Sequence, residues 1–326
     1  MRRAAFLLAL LALAACDSAG PSAYEEQAVV SSFLEVGKPI RPATLTRTFP
    51  LDGPIDLSRL LITDATVRVE LLAADGSVEA TFPFEYRTDG VNEGRYLPLD
   101  RDTPVLGART YRFVADVPGF GEITAETTTP TAVDLVEAAD ETIPYQQGFG
   151  PTFRVTPSSV PGGQPVYLIE VAAEAADEYG VYERPDGTFG VRRLNLEGRF
   201  GPTPGAASFI EDISCDNLAV QSCDFDPADF AAGSSPLLNE ETYTRFPDGS
   251  IEVTVPWLAF GFYGPHKFTL NALDPNLTEY LGTQAVQFNP TTLSPGEIPN
   301  ITSNVEGGLG IFGSFASVQV FSSIVP

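Results

Sequence analysis

Few residues have the type and spacing to carry chemistry. Leu13-Ala14-Ala15-Cys16 sets small residues before a cysteine, as a lipoprotein signal peptidase requires, and the thiol is the group that takes a diacylglycerol. Acyl chains on Cys16 would hold the chain at a membrane, at about 0.8 kcal/mol per buried methylene. Gly308-Leu309-Gly310-Ile311-Phe312-Gly313 spells a dinucleotide fingerprint, but that motif needs a following helix and a distant acidic residue. Too little chain follows Gly313, and it reads as strand, so these glycines are expected in a turn or bulge where backbone packs closely. His266 is the single histidine and no Gly-x-Ser-x-Gly elbow precedes it, which argues against a hydrolytic triad.

Cys215 and Cys223, with seven residues between them, are the remaining cysteines. In an oxidising envelope they read as a local disulfide, contributing about 2.5 kcal/mol on the chain-entropy account. Asp224, Asp226 and Asp229 follow Cys223, with Asp216 just before it. Such carboxylates could bind Ca²⁺ through oxygen. The EF-hand spacing and its glycine are missing, so a solvated acidic loop is the simpler reading, and no cofactor is otherwise implied. Paired carboxylates for glycoside hydrolysis carry little weight, because 43 acidic side chains guarantee chance pairs.

Arg2 and Arg3 followed by apolar Ala4 to Ala15 complete the reading of residues 1–15 as a signal peptide, with residues 16–23 a lipidated tether. The apolar stretch is about half of what a membrane-spanning helix needs. A net charge of −24 with only two lysines, Lys38 and Lys267, excludes a basic nucleic-acid footprint and favours solubility.

The elements that must position these groups are strands. Val67, Val69 and Leu71 alternate with Arg68 and Glu70, and Tyr111, Phe113 and Ala115 with Arg112 and Asp116. Ile251, Val253, Val255 and Trp257 share one face, and Val318 and Val320 alternate with Ser317 and Gln319. A period of two is that of a half-buried strand. Trp257 is accordingly expected in the core, while Phe260, Phe262 and Tyr263 could line a binding edge. Asp52, Asp75, Asp89, Asp186 and Asp248 each precede glycine, as hairpin turns prefer. Scattered prolines leave room only for short helical turns, notably where Asp274 can cap and Pro275 suits the first helical position. Asn276 and Asn300 begin sequons that mean little here.

The expected architecture is all-β. An immunoglobulin-like β-sandwich over residues 24–130 precedes a larger β-rich region over 131–326 with short helical turns and the Cys215–Cys223 loop.

Tyr24-Glu25-Glu26-Gln27-Ala28-Val29-Val30, Thr63-Asp64-Ala65-Thr66-Val67 and Leu273-Asp274-Pro275 through Tyr280 occur in that order. Asn289-Pro290 and Ser303-Asn304-Val305-Glu306-Gly307-Gly308-Leu309-Gly310-Ile311-Phe312-Gly313 follow. Together they resemble the envelope lipoprotein family catalogued as domain of unknown function 4249, over most of the chain after the leader. Asn304, Glu306, Gly307, Gly308, Gly310 and Gly313 carry the most specific part and read as structural. The resemblance implies a β-rich lipoprotein encoded near TonB-dependent outer-membrane transporters. One departure is the helix near the end, where the family's paired aromatics are reduced to Tyr280 beside Leu277.

The leading expectation is a non-catalytic lipoprotein anchored in the cell envelope, at the outer membrane of a Gram-negative bacterium. There it would capture a small ligand or dock with a TonB-dependent transporter, without nucleic acid as partner. The alternatives are an envelope hydrolase, carboxylate-based or Ca-dependent, and a purely structural envelope protein. Replacing Cys16 by serine tests the anchor: processing should stop, and a precursor that still matures normally and stays with the membrane fraction would contradict it.

Overall fold

The computed structural model describes residues 24–50, 59–88, 94–161, 163, 165–174, 179–183, 189–193, 203–204, 232–239, 242–288 and 301–326. Cys16, Cys215, Cys223, Asp224, Asp226 and Asp229 lie outside them, with the leader and the tether. The described chain is all-β apart from one α-helix and a few short turns.

Seven strands precede residue 130: β1 (Ala28–Glu35), β2 (Thr44–Arg47), β3 (Thr66–Leu72), β4 (Val78–Tyr86), β5 (Tyr96–Pro98), β6 (Thr110–Val117) and β7 (Gly121–Thr128). Then come β8 (Asp134–Glu137), β9 (Thr142–Pro144), β10 (Thr152–Thr156) and β11 (Val166–Ala173), and a separate hairpin of β12 (Tyr179–Glu183) and β13 (Phe189–Arg193). Short strands β14 (Ala232–Ser234), β15 (Leu238–Asn239) and β16 (Thr244–Arg245) lead to β17 (Ile251–Thr254) and β18 (Gly264–Leu273). Helix α1 (Pro275–Phe288), β19 (Val305–Glu306) and β20 (Leu309–Val325) complete the chain.

Three larger sheets result. The central one runs β14-β11-β18-β20-β1-β2, with β15 on β11 and β9 on β20; a second runs β19-β7-β6-β3-β4-β5, and a third β16-β17-β10-β8. One apolar core gathers Val67, Val69, Tyr111, Phe113 and Ile123 with Leu34 and Leu45. The other gathers Val155, Ile169, Val253, Phe268, Leu270 and Val320. The predicted period of two holds in β3, β6 and β17, whose inward residues are the buried ones.

Two turns use one device. At Asp75-Gly76-Ser77 the Ser77 N–H donates to Ala-flanked Asp75 Oδ1 at 3.0 Å, and Ala73 N–H donates to Ser77 O at 2.8 Å. Ser250 N–H likewise donates to Asp248 Oδ1 at 3.0 Å, and Phe246 N–H to Ser250 O at 2.9 Å. Each glycine takes the left-handed φ, 82° and 85°, that closes a three-residue hairpin loop.

The helical turn expected after Asp274 extends to 14 residues. Pro275 stands at its first position, and the next proline, Pro290, lies just past its end, so the interval is free of helix breakers. Trp257 also departs from its strand. Pro256 ends the ladder, and Trp257–Ala259 form a 3-10 turn whose indole N–H donates to Gly148 O at 3.2 Å.

Strand β20 joins the two cores. Its first residues pair parallel with β1, Val29 opposite Leu309 through Glu35 opposite Phe315. From Phe315 onward it pairs antiparallel with β18, ending at Ile324 opposite Gly264. Phe312 belongs to the first core, Ala316, Val320 and Ile324 to the second. Entry into this strand requires glycine: Gly310 has φ +112°, and a Cβ there would lie 2.0 Å from Val30 O. Gly119 also has positive φ but meets nothing within 4 Å. Gly310→Ala should therefore cost more than 3 kcal/mol or prevent folding, and Gly119→Ala only about 1 kcal/mol. Chemical denaturation of both checks this; equal, small losses would contradict it.

Candidate functional site

The side chains of the central sheet that point away from the second core form a groove of about 640 Å³. Alternation explains it. Phe268, Leu270 and Ala272 of β18 face inward, so Lys267, Thr269, Asn271 and Leu273 face the groove. Leu168 and Glu170 of β11, Phe315, Ser317 and Gln319 of β20, and Phe33 and Glu35 of β1 join them, and Leu277 and Leu281 of α1 close one end.

The polar floor is largely self-paired. Glu35 is only 5% exposed. Arg41 donates to its Oε2 while stacking over Phe315 with the guanidinium 5.1 Å from the ring centroid. Ser317 Oγ donates to Glu35 Oε1 at 2.6 Å. Across the sheet Asn271 Nδ2 donates to Glu170 Oε2 at 2.8 Å. Asn271 and Ser317 stand opposite each other in register, so the polar row crosses β11, β18, β20 and β1. Sequence reasoning missed this row. Its only local signal is polar residues alternating with apolar ones in β18 and β20, and the partners lie far apart in the chain.

Above the groove, three elements meet at a buried node. Asp274 caps α1: its Oδ1 accepts from Leu277 N–H at 2.7 Å, and Thr127 of β7 donates to its Oδ2. Thr127 Oγ1 and Ser314 Oγ are 2.9 Å apart, and Asp274 N–H donates to Ser314 O at 3.0 Å. All three residues are 2% exposed or less. Burial raises the Asp274 carboxyl pKa, against the lowering effect of these hydrogen bonds.

The residues of the family motif bond to and pack against backbone at the entry to β20. Asn304 Nδ2 donates to Phe312 O at 2.8 Å and its Oδ1 accepts from Phe312 N–H at 3.0 Å. The amide thus replaces a strand neighbour where β18 has turned into the helix. It also donates to Glu126 O at 3.1 Å, and Asn276 donates to the same oxygen at 2.8 Å. Glu306 acts through its backbone, with Val305 and Glu306 pairing with Ala125 and Thr124 of β7. A Cβ on Gly307 would lie 2.6 Å from Glu122 O, on Gly308 2.8 Å from Ala28 O, and on Gly313 3.0 Å from Leu277 Cβ. The glycines are tight contacts, and a strand follows them.

His266 is 1% exposed between Phe260 and Phe268, its Nδ1 2.9 Å from Gly264 O. Burial lowers its pKa, so the neutral ring is the folded form and protonation at acid pH opposes folding. Glu70, expected on a solvent face, is 5% exposed. Arg68 Nε donates to it at 2.7 Å and Arg112 Nη2 at 2.6 Å. Burial pushes this carboxyl up, but the two arginines outweigh it and its pKa falls. Phe260 and Phe262 are buried, and Tyr263 packs its ring 5.5 Å from Tyr145. Among the described residues no group of three His, Cys, Asp or Glu side chains is arranged to hold a metal ion, and no helix is long and apolar enough to cross a membrane.

Asp274→Ala removes the cap and should cost about 1–2 kcal/mol. Asp274→Asn keeps an acceptor for Leu277 N–H and removes the titrating carboxyl. Because the folded pKa is raised, the wild type should lose stability relative to the Asn variant as pH rises from 4 towards 7. Denaturation at several pH values decides this; a wild type that gains on the Asn variant over that range would contradict it.

The family described as Domain of unknown function (DUF4249) matches residues 17–320. No curated protein matches. A solved structure of three N-terminal domains of the bacteriophage RB49 Highly Immunogenic Outer Capsid protein (Hoc) is similar at 8% identity, covering 92% of this chain and 70% of that one, with a TM-score of 0.20.

Proposed function

We propose, from the premise that this chain belongs to the DUF4249 family, that it is a non-catalytic lipoprotein of the cell envelope that captures a ligand beside a TonB-dependent outer-membrane transporter. The observation that carries this reading is the groove on the central sheet. Its floor is built on paired strands, one end is apolar, and its acidic groups are already engaged by internal partners. Glycoside hydrolysis needs two carboxyl groups facing each other across an open cleft with separated pKa values. Glu35 is instead buried and held by Arg41 and Ser317. Such a floor suits holding a molecule more than reacting with it.

A docking surface is supported by a second feature. Phe149 is 92% and Leu258 98% exposed, flanking the Trp257 indole through its bond to Gly148 O. No charged residue occurs between Pro144 and Pro151 or between Pro256 and Gly264. Exposed apolar side chains on an ordered aromatic base are what protein interfaces concentrate. An outer-membrane transporter should co-purify with the tagged protein from gently solubilised envelope, and Phe149→Ser with Leu258→Ser should reduce its recovery. Recovery of no transporter, under conditions that preserve known transporter complexes, would contradict the reading.

A further inference from the structure

The groove changes chemistry along its length, and the change specifies a ligand class. At one end Leu273, Leu277 and Leu281 make an apolar wall. In the middle lie Asn271, Thr269 and Gln319, and at the other end Lys267. Leu273 and Lys267 are six residues apart on one strand, roughly 20 Å. That is the length of five or six residues of extended peptide.

Two side chains have capacity to spare. Thr269 is 8% exposed, lines the groove, and its hydroxyl has no hydrogen-bond partner among the described residues. It opens to the groove and is not one of the buried unpartnered atoms, so a ligand that covers it must pair it in place of water. Lys267 makes no ion pair among the described residues, whereas Arg41, the other cation lining the groove, is engaged by Glu35. An ammonium with no ion pair among the described residues, at one end of a groove in a chain of net charge −24, is a place for an anionic group.

We propose that the groove takes a short extended peptide, its apolar N-terminal part against Leu277 and Leu281 and its C-terminal carboxylate on Lys267. Backbone amides supply donors and acceptors at the spacing of the floor, for Thr269, Gln319 and the remaining oxygen of Glu170. An acyl chain of the same length would cover that floor with methylenes and leave each buried polar group unpaired, at about 1–3 kcal/mol apiece. A glycan would set hydroxyls against the leucines. The assignment rests on the capture reading and narrows it.

The test uses the lipidated full-length protein in detergent and three probes: acetyl-Leu-Phe-Ser-Thr-Gly-Ala as the free acid, the same peptide as its C-terminal amide, and octanoate. Calorimetric titration should show the acid binding about tenfold more tightly than the amide, the worth of one charge-assisted hydrogen bond. Lys267→Gln, a change at a half-buried rim position, should erase that difference. Thr269→Val should weaken acid and amide alike, with thermal melting confirming the fold. Equal affinity for acid and amide, a difference that survives Lys267→Gln, octanoate binding without peptide binding, or no binding at all would each overturn the assignment. Transporter co-purification without peptide binding removes the peptide while leaving capture in place. Peptide binding without a transporter does the reverse.

Discussion

The structure depends on a single strand serving two cores. β20 is 17 residues long, roughly 55 Å, and changes partner near its middle, from parallel β1 to antiparallel β18. At the change, Ile311, Phe312 and Ser314 are all 2% exposed or less. One face meets the first core, where Phe312 lies 5.7 Å from Phe113, and α1 packs Leu277 against Gly313 from the other. A strand buried on both faces must satisfy every backbone group locally. Asn304, Asp274 and Ser314 do this where no neighbouring strand continues.

This constraint explains why the polar residues of the region are inward and fixed. Thr127, Asp274 and Ser314 tie β7, the start of α1 and β20 into one hydrogen-bonded unit. Burial raises the Asp274 carboxyl pKa, yet the side chain satisfies the helix start by accepting from Leu277 N–H. The groove follows from the same arrangement. Once β20 carries both β1 and β18, the outward side chains of β11, β18, β20 and β1 share a face, and α1 walls one end.

Local order was legible in the sequence because it has local causes. Period-two alternation marks Val67 to Leu71 and Ile251 to Val255, Asp-Gly pairs mark the hairpins at Asp75 and Asp248, and Asp274-Pro275 marks a helix start. The burial of His266 between Phe260 and Phe268 was not legible, because those contacts depend on where the strand packs. The remainder is set by contacts remote in the chain. Ser317 and Glu35 are 282 positions apart, and Thr127 and Asp274 are 147 apart. No window of sequence contains both members of either pair. Glu70 read as a solvent-facing residue because alternation reports the side of a strand, not whether Arg112 on the next strand covers it. Trp257 read as strand because its face matched, although Pro256 had already ended the ladder.

The central claim is that the shared strand makes both cores one cooperative unit. Native-state hydrogen exchange in rising urea, read by mass spectrometry, tests it most directly. Amides of β6 in the first core and of β18 in the second should converge on one opening free energy, that of β20 itself. A lower, separate opening that frees β3, β6 and β7 while β18 and β20 stay protected would contradict the account.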